Sequence, residues 1–219
     1  MALSANGLTT QIVQILGNLS RAERTELNRS SGYAFEAWVM TMLGAQLERR
    51  GWRWEHPAAG PAFAKGNGGT FAHRLQQCSH LAYNGFGCPV LVQGVSVEGA
   101  SGVMHDLDLA LWCGGHSGSP QHFSLGVTAV IEVKNHVSAQ SLSCARNLLG
   151  LRLDLERQDH HRLETILISA GAVTPNAGLV MSYWGIHHQQ KVTAASLAWA
   201  ADVTRTLRHA RGCSWHWHW

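Results

Sequence analysis

Two short stretches of the chain carry ionisable side chains inside otherwise apolar runs, HDLDLAL at 105–111 and IEVKN at 131–135. Alternate residues of a β-strand project from the same face. Asp106 and Asp108 are therefore expected on one side of the first strand, with Leu107, Leu109 and Leu111 together in the core on the other. In the second, Glu132 and Lys134 share a face and Ile131 and Val133 lie opposite. Carboxylates gathered in this way can hold a hard divalent cation, and an ammonium beside them can offset negative charge that develops in a reaction. Most strand carboxylates are simply the solvated face of a half-exposed strand, and each motif alone fits that description. The chain, however, has only three lysines (Lys65, Lys134 and Lys191) and nine glutamates. Composition alone then produces a Glu-x-Lys triplet about 0.1 times. The one instance lies within an apolar strand downstream of Asp108.

These strands need elements to position them. The segment SSGYAFEAWVMTMLGAQLERRGW has apolar residues four apart at Phe35, Val39, Leu43 and Leu47 and a stop at Gly51, which predicts a helix. Leu8 to Leu27 also reads as helical, with Ile12, Ile15, Leu16 and Leu19 on one face and Ser20 as a cap for a second short turn. Residues 57–89 are expected to form an irregular insertion, opening with the loop AAGPAFAKGNGG and followed by FAHRLQQCSHLAY as a candidate helix. Three runs, PVLVQGVSVEG, VMHDLDLALW and LGVTAVIEVKN, are separated by turn-formers and predict consecutive antiparallel strands. Then come a helix over 138–156, the buried strand ETILISA, a short helix in TPNAGLVMSYWG and a strand in GIHHQQ. The closing helix has Leu197, Ala201, Val203 and Leu207 inward. This order predicts one α/β domain over 1–219, a central mixed β-sheet flanked by helices.

An Asp on a hydrophobic strand, an apolar strand with Glu-x-Lys, then a helix and a further strand: this pattern resembles the PD-(D/E)XK, or restriction-endonuclease-like, nucleases. The strand-helix-strand ILISAGAVTPNAGLVMSYWGI is similar to the one that completes the core of Mrr-type restriction enzymes. The resemblance spans roughly 30–188, and the proline of the eponymous motif is absent. It implies that the family's first acid falls on Asp108 and its Glu-x-Lys on Glu132, Val133 and Lys134. Glu36 in GYAFEAW takes the place of the glutamate many members carry on the preceding helix. Asp108 and Glu132 would then hold Mg2+, with Mn2+ as a substitute and the Val133 carbonyl as a third ligand, while Lys134 sits beside the attacking water and scissile phosphate. Both acids are expected to be exposed at a sheet end, outside the core. Asp106 is either a secondary ligand or the outermost residue of its strand. Glu36 either joins the site through a second metal or lies on the solvated side of its helix. The implied activity is a metal-dependent DNA endonuclease of restriction or defence type. The alternatives are a non-catalytic nuclease-fold subunit that binds nucleic acid, or a nuclease acting on RNA or branched DNA.

The remaining features set bounds. A net charge of +3 with a pI of about 8.7 permits a DNA partner. Charged residues make up only 14% of the chain, so a homodimer or partner-subunit interface is expected. Arg146, Arg152, Arg157, Arg162, Arg205, Arg208 and Arg211 are candidate phosphate contacts or ordinary solvated arginines. Gln140, at a helix start, is a phosphate contact or a plain terminal amide. The glycines at 66–69 lack the Gly-Lys-Ser/Thr of a phosphate-binding loop. Five cysteines without a CxxC pair predict reduced, mostly buried thiols. His73, Cys78, His80 and Cys88 have ligand chemistry but match no zinc spacing. The Trp/His-rich tail at 213–219 is an edge strand, an adventitious metal binder or disordered. The start MALSANGLTTQIVQIL lacks the pattern of a signal peptide, and no eighteen-residue apolar run occurs, so a cytoplasmic protein without a membrane partner is expected.

Overall fold

The computed structural model describes residues 4–17, 19–57, 62–63, 69–83, 89–113, 126–156, 163–193 and 198–208. The architecture is α/β: seven strands form one mixed sheet in the order of the chain. The strands are β1 (Trp52–Glu55), β2 (His80–Tyr83), β3 (Val90–Glu98), β4 (Met104–Trp112), β5 (Val127–Lys134), β6 (Glu164–Ser169) and β7 (His187–Gln189). Neighbours from β1 to β5 are antiparallel, as expected for β3, β4 and β5; β6 and β7 add in parallel. Parallel additions require crossovers, and α5 (Leu142–Glu156) and α6 (Pro175–Tyr183) supply them. Among the described residues no helix is long and apolar enough to cross a membrane.

Seven helices complete the described chain, with α1 (Ala5–Leu16), α2 (Arg21–Arg29), α3 (Ser31–Glu48), α4 (Phe71–Gln77) and α7 (Ala198–Leu207). Ser20 does more than cap a turn, because it divides two helices. Its hydroxyl accepts the Glu23 N–H while Glu23 Oε2 accepts the Ser20 N–H at 2.7 Å, a reciprocal capping box. Ile15, expected inside, is 39% exposed. α3 is buried around almost its whole circumference rather than along the single stripe its four-residue repeat suggests, since α1 and α7 cover the side turned away from the sheet. Trp38 shows the packing: it stacks on Phe35, meets Trp199 of α7 at 5.5 Å and donates to Gln11 of α1 at 2.7 Å.

Several expectations need correction. The described residues within 57–89 include α4 and the sheet strand β2, so the last four residues of FAHRLQQCSHLAY are strand, not helix. β1, four residues long, is also an unexpected strand. In α7 the inward set includes Trp199, Ala200, Val203 and Leu207, while Ala201 is only half-buried. Cys78 and Cys144 are free thiols but Cys113 is disulfide-bonded, against the expectation of reduced cysteines throughout. Lys65, Cys88, Arg157, Arg162, Leu197, Arg211 and the tail at 213–219 lie outside the described residues.

Candidate active site

The leucines of β4 do not share one face. Leu109 and Leu111 pack with α3, α1 and α7 residues, whereas Leu107 joins Val95, Val97 and Leu155 in a second cluster. Alternation along β5, with Ala129 and Ile131 in the first cluster and Val130 in the second, identifies these as the two faces of the sheet. The strand therefore changes face at Asp108. The cause sits opposite: the pairs Gln93↔Leu109 and Val95↔Leu107 bracket Gly94 across from Asp108. Gly94 has φ +66°, a backbone conformation only glycine adopts without strain. The Gly94 carbonyl leaves the ladder and accepts the Arg74 guanidinium at 2.7 Å.

On its other side β4 also parts from its neighbour. The last pair toward the site is Leu109↔Ile131, and continuing the register places Asp108 opposite Glu132. Where the backbones separate, Asp108 Oδ2 accepts the Val133 N–H at 2.7 Å. Asp108 is consequently buried, at 6% exposure, and not an exposed carboxylate outside the core as the sequence suggested. Burial, followed by the charge of Glu132, raises its pKa to about 6, against the opposing pull of the Val133 bond and Lys134. Like charges directly opposite in a sheet disfavour one another.

Lys134 answers part of this charge. Its Nζ pairs with Glu132 Oε1, and both side chains are partly exposed. Burial works against the ammonium, but Glu132 and Asp108 outweigh it and hold the pKa above the ordinary lysine range. Lys134 is thus a standing cation, suited to electrostatic stabilisation rather than to service as a base.

Glu36, on α3, feels the charges of the same residues. It is the one ionisable residue between Ala34 and Leu47, a stretch that is otherwise mostly buried. The start of α3 is held to the end of β5 by the Asn135 amide, which donates to the Ser31 carbonyl at 2.8 Å. Burial first, and then the charge of Asp108, raise the Glu36 pKa to about 7; Gln93 and Lys134 act in the opposite direction and Glu132 adds to the rise. Glu36, Asp108, Glu132 and Lys134 thus form one electrostatically coupled group drawn from three elements.

Beside this group a cavity of about 470 Å³ opens along α5, lined by Asp106, Glu132, Lys134, His136, Gln140 and Asn147 among others. Asp106 is exposed on its wall and accepts the Ser96 hydroxyl. Gln140 is buried beneath it, its backbone bridging to 172–174 and its amide donating to the Ser138 carbonyl. The loop at 136–138 is fixed against Gly171, where a Cβ would collide with the His136 and Ser138 carbonyls. A larger hollow of about 550 Å³ lies by Trp54, His56 and Glu48, away from the acids.

The other candidates divide. Arg152 is buried and spent on Glu156 and the Trp184 carbonyl, and Arg205 pairs with Asp202; Arg146 is exposed. His80 is engaged by Glu55 at 3.2 Å and by the Cys78 carbonyl, and His73 is exposed. Among the described residues no group of three His, Cys, Asp or Glu side chains is gathered closely enough to hold a metal on its own. Sequence reasoning passed over Gln93, whose position as the polar residue inside the run VLVQGV was the available signal.

No protein-family model matches the chain, and no curated protein matches it. A crystal structure of protein VC1899 from Vibrio cholerae aligns over 95% of this chain and 45% of that one, with 10% identity and a TM-score of 0.41. The chain thus spans less than half the length of that protein, and a likeness at this level carries no argument about activity.

Proposed function

We propose that the chain is a divalent-metal-dependent DNA endonuclease of restriction or defence type, related to the PD-(D/E)XK nucleases its motifs resemble. The observation that carries this reading is the juxtaposition of Asp108, Glu132 and Lys134 where β4 parts from β5, with Glu36 electrostatically coupled to them. The donor set fits Mg2+ or Mn2+. Such ions take oxygen ligands, often one or two carboxylates with retained waters and substrate phosphate, so a closed three-carboxylate cage is not required. Two opposed acids, one of them buried with its pKa raised, form an electrostatic setting that a divalent cation would relieve.

Asp108 and Glu132 would hold the ion, with the Val133 carbonyl and Glu36 as further oxygen donors and Asp106 at the rim. The bound ion would supply positive charge to the phosphoryl and leaving oxygens. Lys134 would orient the attacking water and offset charge on the phosphate as the water oxygen–phosphorus bond forms and the phosphorus–ester oxygen bond breaks. Backbone phosphates would lie along the cavity beside α5, where Gln140 and Asn147 supply donors. Target choice would come from the 57–89 region, a homodimer or a partner subunit in the cytoplasm. Supercoiled plasmid incubated with Mg2+, Mn2+ or EDTA tests the proposal: nicking that needs the metal and disappears in Lys134→Ala supports it, and equal nicking by wild type and Lys134→Ala refutes it.

A further inference from the structure

Gln93 sits on β3 immediately before the Gly94 turn in the backbone, paired with Leu109 and on the same face as α3. It is 2% exposed, and neither its amide oxygen nor its amide nitrogen has a hydrogen-bond partner. A buried polar group left without a partner is destabilising. Its neighbours on that face, Leu91 and Leu109, are core residues, so an apolar side chain of the same length would suit the packing better. The polar group that faces it is the Glu36 carboxyl, which it favours in the charged form although the contact falls short of hydrogen-bond geometry.

We infer that Gln93 is a positioning residue that acts through Glu36: its amide N–H closes onto the Glu36 carboxylate when a cation draws that carboxylate toward Asp108. A buried amide with unused donors and acceptor, aimed at a carboxylate of the site, has this use and no packing use. Outer residues of this kind fix the orientation of the ligands they touch, and losing one typically weakens metal affinity or turnover about 10–100-fold. The inference rests on the metal-dependent reading of the site and names a residue that reading does not include.

The test compares Gln93→Met, which keeps length and volume without the amide, with wild type and with Glu36→Gln. Mn2+ binding is read by calorimetry, plasmid nicking by gel, and folding by thermal melts in EDTA. Gln93→Met is expected to melt at or above the wild-type temperature yet bind Mn2+ and turn over about 10–100-fold less well. Adding it to Glu36→Gln should then cost nothing further, the signature of one residue acting through the other. Unchanged Mn2+ affinity and turnover in Gln93→Met would overturn the inference while leaving the nuclease reading intact. Full additivity with Glu36→Gln would overturn it too. Wild type that neither binds Mn2+ nor nicks DNA would overturn both. Should Gln93→Met not fold, Gln93→Leu takes its place, and failure of both to fold assigns Gln93 to the core and overturns the inference.

Discussion

Asp108 and Val133 are joined by a side chain acting in place of a strand: the carboxylate of β4 accepts, at 2.7 Å, a backbone N–H of β5 beyond the last paired residues of the ladder. One carboxyl oxygen is therefore structural.

Two substitutions at Asp108 should consequently behave differently. Asp108→Ala leaves the Val133 N–H without an acceptor and is expected to lower stability by about 1–3 kcal/mol as well as abolish cleavage. Asp108→Asn keeps an acceptor oxygen, so it should fold close to normally and still be inactive. Urea titrations beside a nicking assay check this; equal stability of the two variants would show that the hydrogen bond contributes nothing.

Lys134→Ala should lose cleavage by about 10²-fold or more while keeping DNA affinity. Its pair with Glu132 is partly exposed, so stability should change by less than about 1 kcal/mol. Gel shifts with Ca2+ in place of Mg2+ separate binding from chemistry, and joint loss of both would make the lysine an anchor for DNA.

Glu36 gives a pH prediction for the metal-free protein. Its folded pKa, raised to about 7, lies above the ordinary carboxyl value of about 4.3. The native state thus holds this proton more tightly than the unfolded chain, so stability declines as pH rises through that interval and is lowest above it. Melts in EDTA from pH 4 to 8 should show this decline, flattened in Glu36→Gln, which should also need more Mg2+ for turnover. Parallel curves for the two proteins would place the carboxylate in water.

Asp154 ties α5 to the 99–102 turn that joins β3 and β4. Its carboxylate accepts the Ser101 N–H and hydroxyl and pairs with His105, at 2.7–2.8 Å. The His105 bond, then burial in opposition and the Ser101 bonds, leave its pKa below the usual range. A depressed carboxyl contributes stability that is present above about pH 4 and lost as the pH falls further. Asp154→Ala should therefore melt below wild type at pH 7 and close to it at pH 2.5. A difference that persists undiminished in acid would assign the effect to packing.

The strands of the site were legible because HDLDLAL and IEVK combine alternation with charges at one end. The burial of Asp108 was not, because alternation carried through Leu107 and Leu109 assumes a regular strand, and only the φ of Gly94 across the ladder reveals the change of face. β1 and β2 escaped because four residues of WRWE or HLAY are too few for either periodicity to stand out. Glu36 was placed by resemblance. Its neighbourhood became visible only when α3 proved buried on nearly all sides, an outcome of packing by α1 and α7 that no local pattern encodes. Arg152 read as a surface cation, and its burial depends on the Trp184 carbonyl, 32 residues away.

Because the strands lie in the sheet in the order of the chain, Gln93, Asp108, Glu132 and Lys134 all belong to one run of adjacent antiparallel strands. Hairpin neighbours close small loops and meet early on the path from the unfolded chain. Glu36 belongs to a helix whose contacts with that run span a much greater stretch of sequence, and it arrives only when α3 docks. During synthesis or refolding the acids of β4 and β5 would face each other before their fourth member is present. A divalent cation added at that stage should speed refolding less than it stabilises the finished protein, and a chevron plot with and without Mn2+ would show the difference chiefly in the unfolding arm.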